Sequence, residues 1–511
     1  MTHIYQSALT IKQHLDKLIN QEAINSFGKT LYQGDNANYC ISLFQNNLIE
    51  PNENSKYFLS EIGNCLLNWS NNNLYNGYFK MEDVHHGTEL FLGFLPRYID
   101  LFPEDENAKQ LILKVADFIG NWKTGVDNWF DYKKNNFKSW YMGSEGIHEN
   151  NLFKYNTADH LRLIHITLLA WELTSDERYL QLSKDYSREI ADKIVKSLGN
   201  VPVAWDNNWK EYFYSNMESK EEQFLAANHH HLPNNSLSGI ENLLASGAIY
   251  IFGYLYRITM EEVFYKASNL MLKKLLPILT NPYSDVVGAN FNYYRHVYSD
   301  ASFDKKILDL MNYIPEYNED ELMLGFPEEQ KIRLDGVGNR KDMIYWYNIN
   351  KQNLEESKEP PTSFFTLLYN ISGEMKHIER AFKTGARKIK ITSDFLRSGY
   401  EHSDSGKLYS SFISGHGRNW GVGTITGCYS PTIVGSDENL GIYSYEFKFL
   451  SKTISNGCLP MVRKSANGEV ELIVYNFNDK QSSIKFVYKK NNKEFILDIN
   501  PMSAIKKIFT K

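Results

Sequence analysis

Apolar residues recur at helical spacing through most of the chain, in units that share one layout. Each unit has a helix that is apolar nearly all round, a short acidic turn suited to capping the next helix, and a second helix with one polar face. Three units are recognisable, and their first helices are predicted at His86–Phe102, Thr157–Leu173 and Asn242–Ile258. A helix that is apolar on every side is expected to be buried, whereas an amphipathic helix is expected at a surface. The pattern predicts nested helical hairpins, with an inner layer of helices surrounded by an outer layer.

The pattern changes near Gly441, where short β-rich segments separated by turn residues replace the helical periodicity. Stretches such as GEVELIVYNFN and SSIKFVYKK alternate apolar and polar residues or run in short β-rich bursts, as strands of a small sheet do. The sequence therefore predicts a helical domain over residues 1–440 and a small antiparallel β-module over residues 441–511.

The turn Leu173–Leu180, with the sequence LTSDERYL, resembles the TGDERYL turn between inner and outer helices of (α/α)-toroid carbohydrate-active enzymes. These enzymes include six-hairpin glycosidases, unsaturated uronyl hydrolases and sugar epimerases, and a toroid followed by a β-module also resembles several families of polysaccharide lyase. The resemblance implies a mainly α fold, an (α/α)6–7 toroid in the form of an incomplete barrel of helical hairpins, with a small C-terminal antiparallel β-module. It implies activity on carbohydrate without fixing the reaction.

Composition and charge exclude several classes of protein. The chain of 511 residues carries 55 basic against 61 acidic residues, so it lacks the positive charge needed to bind a phosphate backbone. Its 4 cysteines form no CxxC pair, which argues against a zinc knuckle or a disulfide scaffold. No apolar run is long enough for a membrane span, and the amphipathic N-terminal segment is unlike a signal peptide. We expect a cytoplasmic protein without a nucleic-acid or membrane partner.

Polar and titratable residues cluster where the inner helices are expected to begin. The inner helices of a nested ring all run the same way, so their N-termini and the preceding loops gather at one end. The residues that this rule brings together are Glu82, Asp83, His85, His86, Glu89, Tyr155, Asn156, Asp159, His160, Arg162, Asn228, His229, His230, His231, Asn234, Asn235 and Glu241. Because helix N-termini favour anionic groups, this end of the ring suits a carboxylated sugar.

Two further stretches carry suitable chemistry. NFNYYRHVYSD contains Asn292, Tyr294, Arg295 and Tyr298. β-Elimination from a uronate needs a group that neutralises the carboxylate, a base for the C5 proton and an acid for the leaving oxygen, and these residue types supply all three. The glycine-rich stretch SGHGRNWGVG contains His416, Arg418 and Trp420, and an indole there can stack on a sugar face.

The sequence thus predicts a lyase that cleaves uronic-acid-containing polysaccharides or oligosaccharides by β-elimination, with an anionic glycan as its partner and no cofactor. The predicted catalytic residues are His86, His160, His229, Tyr294, Arg295 and Tyr298. The predicted substrate-binding residues are Glu82, His85, Glu89, Asn156, Asn235, Asn292, His416, Arg418 and Trp420.

Other interpretations of the same residues stay open. An inverting glycoside hydrolase needs two carboxylates about 6.5–9.5 Å apart, and the candidates are Glu82, Asp83, Glu89, Glu145 and Asp159. A sugar epimerase with two histidines and a glycan-binding protein without activity are further alternatives. His85 and Glu89 have the spacing of two metal ligands, but spacing specifies no third ligand, so no metal is assigned. Asp83 and Asn156 can equally cap helices, His165 is expected in the core, and the stretch with Tyr294 can equally pack on the outside.

Overall fold

The computed structural model describes residues 1–19, 40–123, 125, 129–219, 237–280, 285–314, 360–396, 423–437 and 441–510. Within these ranges the protein is mainly helical and ends in an antiparallel sheet region, as predicted. The predicted site residues that lie outside these ranges are His229, Asn235, His416, Arg418 and Trp420.

The helices follow one another through most of the chain. In order, they are α1 (Thr2–Leu18), α2 (Ile41–Ile49), α3 (Glu53–Asn73), α4 (Val84–Glu89), α5 (Leu95–Leu101), α6 (Glu106–Ile119), α7 (His160–Thr174), α8 (Glu177–Lys196), α9 (Ser238–Ala245), α10 (Ala248–Thr259), α11 (Glu262–Leu275), α12 (Asp285–Val297), α13 (Asp304–Leu310), α14 (Thr362–Ser372), α15 (Met375–Leu396) and α16 (Ser430–Val434). Two π-helical segments, Leu90–Phe94 and Ile425–Tyr429, join α4 to α5 and lead into α16.

Short strands lie between the helices, and longer ones form the C-terminal region. They are β1 (Glu82–Asp83), β2 (Phe130–Asp131), β3 (Asn136–Phe137), β4 (Tyr141–Gly143), β5 (Gly146–Ile147), β6 (Tyr155–Asn156), β7 (Ala204–Asp206), β8 (Glu211–Tyr212), β9 (Phe447–Phe449), β10 (Cys458–Lys464), β11 (Val470–Asn476), β12 (Ser482–Tyr488), β13 (Lys493–Ile499) and β14 (Ala504–Phe509). The C-terminal strands form two antiparallel sheets, ordered β10-β11-β14 and β13-β12-β9. The sequence did not predict β1 to β8: β1 and β6 occupy stretches interpreted as the starts of inner helices, and the others lie in the loops between the predicted helices.

The three predicted hairpins are present, and their acidic turns cap the second helix in two of them. Asp105 accepts hydrogen bonds from the first backbone N–H groups of α6, and Asp176 does the same for α8. The residues of α7 from His160 to Leu168 are all buried, whereas α8 buries one face only. The hydrophobic pattern thus correctly separated buried helices from surface helices.

The third inner helix is not continuous as predicted. It breaks between α9 and α10 because Gly247 has a positive φ of 78°, a conformation that glycine adopts without strain. The carbonyl of Ser246, freed by the break, lies 3.1 Å from Nε2 of the buried His165. His165 is therefore a core histidine, as expected from its apolar neighbours.

Both π-helical segments precede a proline, which explains their geometry. Proline has no N–H, so the carbonyl four residues earlier loses its helical donor. Below Pro96 the carbonyl of Leu92 accepts instead from Nη1 of Arg97, at 3.1 Å. Below Pro431 the carbonyl of Gly427 accepts from Oγ1 of Thr366, at 2.8 Å. Side chains thus replace the missing backbone donors in two buried helices.

Buried polar contacts join the helices to the C-terminal sheets. The Glu50 carboxylate, at the end of α2, accepts hydrogen bonds from the backbone N–H groups of Thr453 and Ser455, both at 3.1 Å, and lies 3.4 Å from Nζ of Lys12. Because Glu50, Thr453 and Lys12 are each 3% exposed or less, water cannot replace the carboxylate at the Thr453 N–H or at Nζ of Lys12.

We expect Glu50→Ala to lower the free energy of unfolding by about 1–3 kcal/mol, because it leaves buried donors unpaired. Urea denaturation of the full chain measures this loss. The matched control is Glu61→Ala, which removes an exposed carboxylate from α3 and is expected to change stability by about 0.5 kcal/mol or less. Equal stability of the two variants would show that the Glu50 contacts do not matter.

None of the described helices combines the length and the apolar character needed to cross a membrane.

Candidate active site

The site lies where β1 leads into α4. β1 pairs antiparallel with β4, so that Asp83 stands opposite Tyr141, and the N–H of Val84 donates to the carbonyl of Trp140 at 3.1 Å. Gly143 permits this approach, since a Cβ there would lie 2.2 Å from the carbonyl oxygen of Lys80. The hairpin of β4 and β5 therefore fixes the start of α4.

Asp83 caps α4 and also holds the imidazole of His86. Its Oδ1 accepts from the backbone N–H of His86 at 2.8 Å, and its Oδ2 lies 2.7 Å from Nδ1 of the His86 ring. Burial acts to raise the pKa of Asp83, but the hydrogen bond and charge of His86 outweigh it and keep that pKa below its usual value. The Asp83 side chain is 9% exposed and the His86 side chain 52%. A buried, ionised carboxylate thus orients a half-exposed imidazole, the arrangement of a general base.

Two groups with a raised pKa stand beside this pair. Burial, followed by the nearby charge of Asp83, raises the pKa of the half-buried Glu82. Burial and the charges of Glu82 and Asp83 also raise the pKa of Tyr141, so its hydroxyl keeps its proton at neutral pH. One ligand atom from each of Glu82, Asp83 and His86 can be chosen so that the three lie within 4.8 Å of one another. The site therefore contains groups that hold a proton next to groups that can accept one.

A buried charged network lies next to the pair, between α4 and α7. Nδ1 of His85 is 2.7 Å from Nη1 of Arg162, and Nε2 of His85 is 3.1 Å from Oε1 of Glu89. Nε of Arg162 donates to Oγ1 of Thr88 at 2.9 Å. Oδ1 of Asp159 lies 3.5 Å from Nδ1 of His85.

The charges of this network hold Asp159 ionised. Burial acts to raise the pKa of Asp159, but its interactions with His85 and Arg162 lower it to about 2. The sequence analysis predicted that the residues at the starts of α4 and α7 would meet, because it expected the N-termini of the inner helices to gather at one end of the ring. The third predicted cluster, residues 228–235, lies outside the described residues.

Comparison of the chain with protein-family models, curated proteins and solved structures finds no match. The geometry of the site is therefore what bears on function.

Several predicted site residues are buried among structural partners. Nε2 of His160 lies 2.9 Å from the carbonyl of Ser139 and its Nδ1 lies 3.1 Å from the N–H of Thr157, so neither ring nitrogen is open to a substrate. Nδ2 of Asn156 donates to the carbonyl of Phe137 at 2.7 Å, and its Oδ1 accepts from Tyr186. Asn156 caps no helix; it joins a strand to α8. His85 and Glu89 belong to the buried network and do not face solvent.

The stretch around Tyr294 forms part of α12 and binds neighbouring elements. The hydroxyl of Tyr294 donates to Asp300 and accepts from Nδ2 of Asn269 on α11, and the hydroxyl of Tyr298 donates to the carbonyl of Phe264, also on α11. Burial, the largest cause in both, raises the pKa of each tyrosine.

Arg295 is held in the same region. Its Nε lies 2.9 Å from both carboxylate oxygens of Asp304, and its Nη1 donates to the carbonyl of Lys464 at 3.1 Å. All these contacts favour the packing interpretation of the stretch, and none of them involves Asp83 or His86. The catalytic role predicted for Tyr294, Arg295 and Tyr298 stays an untested prediction.

Asn292 lies on a separate small crevice. Its Oδ1 accepts from Nδ2 of Asn370 at 3.0 Å, and the crevice is also lined by Tyr250, Ser436 and Lys464. Asn292 is thus the residue of this stretch with access to a concave surface.

Sequence reasoning missed Tyr141. The stretch SWYMGSEG has no recognisable motif, and Tyr141 reaches the site only because β4 pairs with β1, which places it opposite Asp83, 58 positions earlier in the chain. A pairing of two-residue strands leaves no periodic signal in a sequence.

Proposed function

We propose that this protein is a carbohydrate-active enzyme that cleaves uronic-acid-containing oligosaccharides by β-elimination, with His86 as the base. The observation that carries the proposal is the Asp83–His86 pair, in which a buried carboxylate fixes a half-exposed imidazole. With its Nδ1–H donated to Asp83, the ring leaves Nε2 as the basic nitrogen.

The proposed step balances within the site. Nε2 of His86 takes the C5 proton of the uronate, and the electron pair of that C–H bond forms the C4=C5 double bond. The C4–O bond breaks, and the hydroxyl of Tyr141 gives its proton to the leaving oxygen. The two products are an unsaturated uronate and a free hydroxyl group. The proton on His86 then returns to the Tyr141 phenolate through solvent, which restores both groups.

The uronate carboxylate needs a partner that neutralises its charge, because this makes the C5 proton more acidic. Arg162 is only 2% exposed and donates to His85 and Thr88, so it is not assigned this role. Among the five predicted site residues outside the described ranges, His229, Asn235 and Arg418 are of the residue types that the sequence analysis gave to this role.

We also propose that the inner helices close into a toroid. Pairwise contacts run from α2 to α5, from α4 to α7, from α7 to α10, and on through α12 and α14 to the π-helical segment Ile425–Tyr429. The circuit is completed by α16, which packs against α2. Every residue of α2 is buried, as expected for an inner helix that has neighbours on both sides and an outer layer behind it.

Hydrolysis is the second candidate, and one observation favours it. The pKa of Glu82 is raised while that of its neighbour Asp83 is lowered, so Glu82 is the better proton donor of the two carboxyl groups. A glycosidase likewise pairs a carboxyl group of raised pKa, as the acid, with an ionised carboxylate. One oxygen from each of Glu82 and Asp83 lies within 4.8 Å of the other, however, which is closer than the about 6.5–9.5 Å of an inverting enzyme. Asp83 is nearly inaccessible and committed to His86, which is why we rank hydrolysis second.

The test is incubation with a panel of uronic-acid oligosaccharides, with ultraviolet absorbance of the conjugated double bond and release of reducing ends followed in parallel. Elimination is expected to raise both signals together. Reducing ends without absorbance would support hydrolysis, and silence of both signals across the panel would count against an enzyme of either type.

Asp83→Asn separates the two tasks of Asp83. Asparagine is as good a helix cap as aspartate, so we expect the free energy of unfolding to change by about 1 kcal/mol or less. An amide cannot stabilise the imidazolium that forms during proton transfer, so we expect kcat to fall by roughly 10–100-fold. Asp105→Asn, which alters a helix cap of α6, is the matched control and is expected to keep wild-type kcat. An unchanged kcat in Asp83→Asn would mean that Asp83 acts only as a cap.

A further inference from the structure

Glu82, Asp83 and His86 bring two carboxylates and one imidazole to the entrance of α4. One ligand atom from each residue can be chosen so that all three lie within 4.8 Å of one another. Mixed nitrogen and oxygen ligands suit Zn²⁺ and other divalent first-row transition ions better than Ca²⁺ or Mg²⁺, which prefer oxygen. His86 and Glu82 both retain exposed surface, so an ion can reach the group from solvent.

The group has more negative than positive charge. Asp83 is paired with His86, but no lysine or arginine of the described part of the chain lies within ion-pair distance of Glu82. The Glu82 carboxylate accepts a hydrogen bond from the backbone N–H of Asp83, at 3.0 Å. A divalent cation would neutralise this excess charge.

A buried hydroxyl next to the group supports a bound ion independently. Tyr78 is fully buried, and its hydroxyl has no hydrogen-bond partner among the residues that the structure describes. The hydroxyl lies against Gly87, the residue after His86, where an added Cβ would come within 2.1 Å of it. Burial is the largest cause that raises the pKa of this hydroxyl, and the charges of Asp83 and Glu82 act in the same direction. A water on a metal ion is the kind of partner that would satisfy such a hydroxyl.

We propose that Glu82, Asp83 and His86 form a binding site for one divalent transition-metal ion, with Zn²⁺ as the expected occupant. Zinc to ligand distances of about 2.0–2.2 Å require the three ligands to come closer together than they stand now. Glu82 and His86 make this adjustment, since both side chains have exposed surface. An ion that takes ligands from both Asp83 and His86 replaces the hydrogen bond between Oδ2 of Asp83 and Nδ1 of His86. Metal binding therefore removes the contact that orients the base and inhibits the enzyme. The inhibition rests on the proposed function, whereas the binding does not.

The binding is tested by titrating the chelator-treated full chain with ZnCl2 in a calorimeter. We expect Glu82→Gln and His86→Asn to lose one bound equivalent, or at least about tenfold in affinity for it, relative to the wild type. The matched controls are Glu145→Gln, on the neighbouring hairpin, and His3→Asn, on α1, both of which remove exposed side chains and are expected to bind as the wild type does. The sequence also contains three consecutive histidines at 229–231, so the site is assigned by the difference between variants. Equal stoichiometry and affinity in the wild type and both site variants would overturn the proposal.

A second measurement separates this proposal from the proposed function. Turnover of the active oligosaccharide is followed at rising Zn²⁺ and again after a chelator is added. Reversible inhibition at the Zn²⁺ concentration that fills the site supports both proposals. Calorimetric binding that depends on Glu82 and His86, without inhibition, supports the metal site and contradicts the role of His86 as the base.

Discussion

His86→Ala is expected to lower kcat by about 10²–10⁴-fold, the usual contribution of a positioned general base. The reason is geometric, because no other described side chain shares the position of an imidazole held by Asp83 at 2.7 Å and open to solvent over half its surface. The fold should tolerate the change. Asp83 keeps its hydrogen bond to the backbone N–H of residue 86, and water can solvate the carboxylate oxygen that the ring leaves, so we expect a loss of about 1 kcal/mol or less.

Initial rates at saturating substrate measure this effect, with thermal unfolding as the check on folding. His3→Ala, which removes an exposed histidine from α1, is the control and is expected to keep wild-type kcat. Turnover of His86→Ala at the level of the control would contradict the assignment of the base.

Arg162→Met is expected to lower the free energy of unfolding by about 3–5 kcal/mol, the range for breaking a buried ion pair on one side. The Arg162 side chain is 2% exposed and is the cation among the carboxylates of Glu89 and Asp159. Methionine fills similar volume but leaves those two carboxylates buried without their cation. Urea denaturation at neutral pH measures the loss. The control is Arg178→Met, which breaks an exposed pair with Asp176 and is expected to cost about 0–1 kcal/mol.

The loss of stability caused by Arg162→Met is expected to become smaller at low pH. The pKa of Asp159 is about 2 in the folded protein, below the unfolded value of about 3.9. Stability from this lowered pKa is therefore present above pH 4 and is lost as the pH falls from about 4 to about 2. The stability gap between the wild type and Arg162→Met should narrow over that range. A gap that stays constant, or Arg162→Met as stable as Arg178→Met at neutral pH, would contradict this account of the network.

The sequence predicts the helical hairpins because burial leaves a periodic signal. Asp105 and Asp176 stand at acidic turns and do cap the helices that follow. The breaks are harder to foresee, because the π-helical segments depend on donors such as Thr366, which is 61 positions from the carbonyl it serves. A contact of that kind leaves no local pattern.

At the site, too, some features could be predicted from local sequence patterns, whereas others depend on packing between distant segments. The rule that inner helices begin at one end brings His85 to Asp159 and Arg162, and the structure places them in contact. The rule places both His85 and His86 at the start of α4, but it does not say which of them faces solvent. Adjacent side chains on a helix point about 100° apart, so one can be buried while the other is exposed. Only the packing shows that His85 is buried and that His86 is half exposed.

Sequence adjacency was a poor guide at α12. Tyr294 and Tyr298 are four residues apart, so both lie on the helix face that contacts α11, where their hydroxyls are hydrogen-bonded. The residue type shows which reactions a side chain can take part in, but its hydrogen-bond partners in the fold determine whether it is available for them.

The most direct test of the central claim is the mass of the products formed from one defined uronic-acid oligosaccharide in water labelled with ¹⁸O. β-Elimination adds no water, so we predict product masses that sum to the mass of the substrate, with no label incorporated by the cleavage. Products that together exceed the substrate by one labelled water would show hydrolysis and contradict the proposed role of His86 as the base for the C5 proton.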